Sequence, residues 1–313
     1  MKRDLLDITD LAPPEIGELL DLATLIKTER ARGKHHDTLS GKTLGLLFEK
    51  PSTRTRISFE VAMNQLGGSA LGIHPDDSQM GRGEGIADTA RTLSRYLDGL
   101  MVRTYAHDTI IQWARHAAVP VINGLTDLAH PCQALADLLT VRERFGGFKG
   151  INLAYVGDGN NVAHSLMLAA ARTGMGIRVA TPEGYAPDVS VVERARADAD
   201  ACGGSVTLTL DPKAAAEDAH VIYTDVWASM GQEDSRAQRI KDFDGFRVDE
   251  GLMALACHDA VFMHCLPAHR GEEVDAEVMD GPRSVVFDQA ENRLHVQKAV
   301  LVRLLGPARG GAV

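Results

Sequence analysis

Short apolar runs that alternate with longer segments of helical periodicity restrict this chain more than any other feature of it. Four runs come first, at residues 44–48, 70–73, 99–102 and 119–122. Five follow, at 151–156, 177–180, 206–210, 221–224 and 260–263. Runs this short, bounded by turn signals, read as buried strands. Strands joined through helices lie parallel, and their sheet is covered on both faces. The pattern pauses at Arg142-Glu-Arg-Phe-Gly-Gly-Phe-Lys-Gly150 and restarts at Ile151. A chain of 313 residues also exceeds the size at which one core usually keeps growing. The expected fold is therefore α/β, with two domains, each a parallel sheet flanked by helices. The first domain is placed at 1–146 and the second at 147–290. Pro13-Pro14-Glu15 opens a helix with Ile16, Leu19, Leu20, Ala23 and Ile26 on one face.

Charge narrows the partners. With 33 basic and 43 acidic residues, the net charge of −10 argues against nucleic acid and against an anionic membrane surface. No apolar run is long enough to span a bilayer. The opening Met1-Lys2-Arg3-Asp4 lacks the apolar core of a signal peptide. Cys132, Cys202, Cys257 and Cys265 have no metal-ligand spacing and suggest no disulfide framework. A cytoplasmic location is expected.

In open α/β sheets, ligands sit beyond the carboxyl ends of the strands. The densest polar motif lies at such an end. Phe48-Glu-Lys-Pro-Ser-Thr-Arg-Thr-Arg56 follows the first strand and precedes a helix carrying Ile57, Phe59, Ala62, Met63 and Leu66. Three hydroxyls and two guanidiniums thus stand where a helix offers unpaired N–H groups and the positive end of its dipole. That combination suits a phosphate. A plain Ser52 N-cap with two solvated arginines fits the spacing as well.

The order of the residues in this motif resembles the carbamoyl-phosphate motif of the aspartate and ornithine carbamoyltransferases. The opening Phe-Glu-Lys is similar to the ornithine branch. Five further segments fit the family in order, and together they span residues 48 to 293. The resemblance implies carbamoyl transfer from carbamoyl phosphate to L-ornithine, with no metal and no organic cofactor. Carbamoyl phosphate would bind through Ser52, Thr53, Arg54, Thr55, Gln79, Arg103, His130, Gln133, Cys265, Leu266 and Arg293. Thr55, Arg103 and His130 would donate to its carbonyl oxygen. Gln133 and the Leu266 carbonyl would hold its amide. Arg54, Arg103, His130 and Cys265 form the expected catalytic set. Arg56 is left as ion-pair scaffolding. A sister enzyme acting on putrescine, acylated ornithine or aspartate is the alternative.

The same resemblance assigns ornithine to Asn161, Asp225, Ser229 and Met230. A carboxylate for an ammonium and hydroxyl or amide donors for a carboxylate are the chemistry such a substrate needs. Cys265, in the string Met263-His-Cys-Leu-Pro-Ala-His-Arg-Gly271, would sit near the δ-amine without acting as a nucleophile. Gln79 would reach the site of a neighbouring subunit in a homotrimer, or a multiple of trimers, with shared active sites. The final helix, about 291–313, would return to the first domain. One segment points elsewhere: Gly157 and Gly159 have the spacing of a dinucleotide fingerprint, but Val162 stands where its third glycine belongs. A nicotinamide enzyme is carried as the other enzymatic class, and an anion-binding or regulatory module as the non-enzymatic one.

Overall fold

The computed structural model describes residues 2–74, 79–228 and 235–307. It divides into two compact units, Met1–Ala136 with Asn292–Val313, and Asp137–Glu291. Each unit is a parallel sheet with helices packed on it.

The first unit contains strands β1 (Thr43–Phe48), β2 (Ser69–Ile73), β3 (Gly99–Arg103) and β4 (Val121–Leu125), in the order β2-β1-β3-β4. Its helices are α1 (Pro13–Ala31), α2 (Thr53–Gln65), α3 (Ile86–Leu93), α4 (His107–His116) and the start of α5 (Pro131–Phe145). From β1 the chain moves to β2 on one side and later to β3 on the other. The carboxyl ends of β1 and β3 therefore flank a topological switch point, with Phe48 opposite Arg103. The expected strand at 119–122 begins later and runs further. Pro120 has no N–H to give to a ladder. Asn123, by contrast, is drawn in by its N–H bond of 2.8 Å to the Leu5 carbonyl. Leu47, Leu100, Val102, Ile110, Trp113 and Val121 form the core between sheet and helices. Full burial of each large apolar side chain contributes about 1.5–3 kcal/mol.

The second unit contains β5 (Asn152–Val156), α6 (Asn161–Thr173), β6 (Gly176–Ala180), α7 (Val189–Cys202), β7 (Ser205–Thr209), α8 (Pro212–Ala216) and β8 (Val221–Thr224). It continues with α9 (Arg236–Asp242), α10 (Glu250–Met253), β9 (Val261–His264), α11 (Ala276–Met279) and the start of α12 (Val286–Leu305). The strand order β7-β6-β5-β8-β9 places its switch point between β5 and β8. Helix α12 begins earlier than the expected start near 291, because the Val285 N–H is tied to the Phe262 carbonyl at 3.0 Å and anchors the entry. The division between the units falls within α5 and within α12.

Candidate functional site

In the first unit, the functional side chains gather at the switch point. Ser52 caps α2 and accepts from the Thr55 N–H at 3.2 Å. This bond satisfies one first-turn donor, and the cap leaves Thr53 and Arg54 exposed in the first turn. Thr55 points inward and is fully buried. Its hydroxyl accepts from Arg293 Nη2 at 2.8 Å and from Arg103 Nη1 at 3.4 Å. Arg103 ends β3, whereas Arg293 comes from α12, and both are buried. His130 precedes α5, and its carbonyl accepts from the Gln133 N–H at 3.1 Å. Burial, and then the charges of Arg293, Arg103 and Arg54, hold the His130 imidazole well below its ordinary range. The ring is thus neutral near pH 7, which leaves it one N–H to donate. Gln133 is buried in the first turn of α5. A cluster of guanidiniums, a hydroxyl and a neutral imidazole at the head of a helix is suited to a dianion with a polarisable carbonyl beside it.

The loop leaving β1 is braced by its neighbour. Glu49 accepts from the Thr104 hydroxyl, and Lys50 lies 4.5 Å above the Tyr105 ring. Arg56 pairs with Glu60 one turn along α2, at 2.9 Å. A cavity of about 690 Å³ opens beside the motif, lined in part by Ser52, Thr53, Arg56 and Met80. Gln79 begins a short 3₁₀ turn, Gln79–Arg82, and is exposed.

In the second unit, the ends of β5, β8 and β9 converge. Asp225 follows β8 and is buried. One of its oxygens accepts from the Cys265 thiol at 3.0 Å, and the other from Asn160 Nδ2 at 2.9 Å. Asn160 also caps α6: its Oδ1 accepts from the Val162 and Ala163 N–H groups at 2.9 and 3.2 Å. Asn161 is the first residue of α6. Leu266, beside Cys265, has a positive φ of 63°. The buried Tyr155 hydroxyl donates to Asn160 at 3.3 Å. Burial, and then Asp225, Asp158 and Cys265, push the Tyr155 hydroxyl well above its ordinary range, so it remains a donor. Nearby, Arg239 donates to Asp158 at 2.8 Å and to the Trp227 carbonyl at 2.6 Å. Cys265 is half-buried, with a carboxylate against it, whereas Cys132 is buried and burial pushes its thiol up to about 12.

Asn160 was not signalled by the resemblance, although an Asn just before an apolar helix is an N-cap signature. Its geometry also weighs against the dinucleotide reading. The Gly157 φ of +149° and the close approach of Gly159 to the 185–187 backbone explain those two glycines structurally. The Asn160 side chain occupies helix N–H groups that a pyrophosphate would use. Ser229 and Met230 lie outside the described residues.

One polar side-chain atom each of Asp225, His264 and Cys265 lies within 4.8 Å of the others, as do those of His269, Glu272 and Glu273. In the first group, Asp225 accepts from Cys265, and His264 Nδ1 from the Leu266 N–H at 2.9 Å. In the second, Glu272 pairs with Arg236, and Glu273 faces His264.

Fold and site together define a two-unit α/β protein with an anion site in one unit and a carboxylate–thiol site in the other. Residues 3–143 match the carbamoyl-P binding domain, and residues 149–304 the Asp/Orn binding domain, of aspartate/ornithine carbamoyltransferase. The chain belongs to the aspartate/ornithine carbamoyltransferase family. It is 56% identical over 309 residues to an ornithine carbamoyltransferase of Pyrococcus horikoshii, covering 99% of this chain and 98% of that one. An anabolic ornithine carbamoyltransferase of Pyrococcus furiosus is 56% identical over 304 residues, covering 97% of this chain and 96% of its own. The solved structure of an ornithine carbamoyltransferase from Pyrococcus furiosus has a TM-score of 0.95 and 55% identity, covering 100% of this chain and 98% of that one. The Thermus thermophilus ornithine carbamoyltransferase structure has a TM-score of 0.88 and 48% identity, covering 97% and 99%.

Proposed function

We propose that this chain transfers the carbamoyl group of carbamoyl phosphate to the δ-amine of L-ornithine, giving L-citrulline and phosphate. The observation that carries this reading is the Thr55 hydroxyl in the first turn of α2, held by Arg103 and Arg293, whose charges also act on His130. The reaction belongs to arginine metabolism, in the biosynthetic direction that the Pyrococcus furiosus relative's name carries.

In this reading Ser52, Thr53, Arg54, Arg103 and Arg293 hold the phosphate. Thr55, Arg103 and neutral His130 donate to the carbonyl oxygen as it gains charge. Gln133 and the Leu266 carbonyl receive the carbamoyl amide. Asn161, Asp225, Ser229 and Met230 bind the α-amino and α-carboxyl groups of ornithine, and Cys265 lies near the δ-amine. The first domain, 1–146 with about 291–313, serves carbamoyl phosphate, and 147–290 serves ornithine. A free alkylamine titrates at about 10.4, so the bound amine must lose its proton before attack. The neutral amine adds to the carbonyl carbon. The tetrahedral intermediate then expels phosphate, which takes the proton the nitrogen sheds after attack; the ammonium's first proton has already been released before attack. The nucleophile belongs to the substrate, so positioning and charge stabilisation carry the rate.

The test is carbamoyl transfer, read as amine-dependent phosphate release, measured with ornithine, putrescine, N-acetylornithine and aspartate side by side. Asp225 presents a carboxylate for a free α-ammonium, so ornithine is expected to win by about 10²-fold or more. A preference for putrescine or the acylated amine would transfer the chain to a sister activity.

Among the described residues no helix is long and apolar enough to cross a membrane, which is compatible with work in the cytoplasm. We also propose a homotrimer in which Gln79 completes the site of the next subunit. Two damaged variants, Arg54→Ala and Gln79→Ala, are then expected to rescue each other when refolded together. With equal random mixing and cyclic closure, about one quarter of all sites are restored. Recovery of citrulline formation well above either parent is the expected result. Absence of recovery in trimers confirmed as mixed by native mass spectrometry would remove Gln79 from the neighbour's site.

A further inference from the structure

His264 and Glu273 take no part in the chemistry above, yet both side chains are fully buried. A buried ionisable pair demands a reason, because removing such groups from water is costly. His264 closes β9, and its own N–H donates to Gln289 Oε1 at 2.9 Å. Its ring Nδ1 accepts from the Leu266 N–H at 2.9 Å. With Nδ1 serving as acceptor, the ring proton sits on Nε2. That atom lies 3.4 Å from Glu273 Oε1. Glu273 also accepts from the His269 N–H. Burial raises the Glu273 carboxyl, but the His264 ring and the His269 N–H outweigh it and hold the group below its ordinary value. The Leu266 N–H therefore fixes the tautomer, and an anionic Glu273 faces the protonated nitrogen across 3.4 Å. The beneficiary is Leu266, a non-glycine residue at a positive φ that L side chains rarely adopt. Such a conformation persists only where its surroundings hold it.

We propose that His264, oriented by Glu273, is a positioning residue that clamps the Leu266 backbone so that its carbonyl faces the carbamoyl amide. This rests on the reading that Leu266 receives that amide. The ring acts through the peptide and does not touch the substrate. Anchoring the Leu266 N–H limits the directions in which its carbonyl can point.

The experiment compares His264→Leu, His264→Asn and Glu273→Gln in the full chain. Carbamoyl-phosphate binding is read by calorimetry, and KM for each substrate by kinetics. Asparagine can place an acceptor near the former Nδ1, and leucine cannot. His264→Leu is expected to weaken carbamoyl-phosphate binding by about tenfold, as the loss of one hydrogen bond does. The ornithine KM should stay within about threefold, and His264→Asn should recover most of the loss. Glu273→Gln keeps the shape, loses the charge and should weaken the same binding severalfold, so the inference stays testable if the leucine variant misfolds. Wild-type binding retained in His264→Leu, or equal losses in the asparagine and leucine variants, would overturn the clamp. A wild-type chain that binds no carbamoyl phosphate would overturn the carbamoyl-transfer reading itself, and the clamp with it.

Discussion

Arg54→Ala is expected to lower the rate of citrulline formation by about 10²–10³-fold, the usual cost of losing a donor aimed at developing charge. Arg54 stands in the first turn of α2, where the helix dipole and the arginines at 103 and 293 already favour an anion. Its own charge is among those that keep His130 neutral. The side chain is exposed, and the core of α2 is made by Thr55, Phe59, Ala62 and Met63. The fold should therefore survive the change. Circular dichroism and steady-state kinetics decide the matter. Near-normal turnover in a folded variant would sink the phosphate site.

Asp225→Asn should produce a different defect, confined to the second substrate. The wild-type carboxylate accepts from Asn160 on one oxygen and from Cys265 on the other. An amide at this position loses the charge that would attract an ammonium. It also turns an NH₂ group toward a neighbour that is itself a donor. A hydrogen bond to a charged group contributes about 1.5–3 kcal/mol, so the KM for ornithine should rise by about 10–100-fold. Calorimetric binding of carbamoyl phosphate alone should change little. Equal weakening toward both substrates would mean that Asp225 does not serve ornithine.

Much of the framework follows from local pattern. Short apolar runs between helical segments already require parallel sheets with crossover helices, because periodicity and turn chemistry act within a few residues. The Ser52 cap and the roles of Gly157 and Gly159 are local in the same sense. Each depends on a nearby N–H group or a backbone angle. The family resemblance, in turn, assigned Thr55, Arg103, His130, Asp225, Cys265 and Arg293 to one expected chemistry.

Their chemical states are set by the tertiary fold. Arg293 meets Thr55 across 238 residues of sequence, and Cys265 meets Asp225 across 40. No local rule sets such distances, because they depend on strand order and on which helix face turns inward. Neutrality of His130 depends on burial and on three arginines brought from separate elements. Asn160 acquires its second role only because β5 and β8 end side by side. His264 and Glu273 read in the sequence as two ordinary polar residues nine positions apart. Only burial turns them into a pair, since a carboxylate removed from water is tolerated when a specific proton faces it.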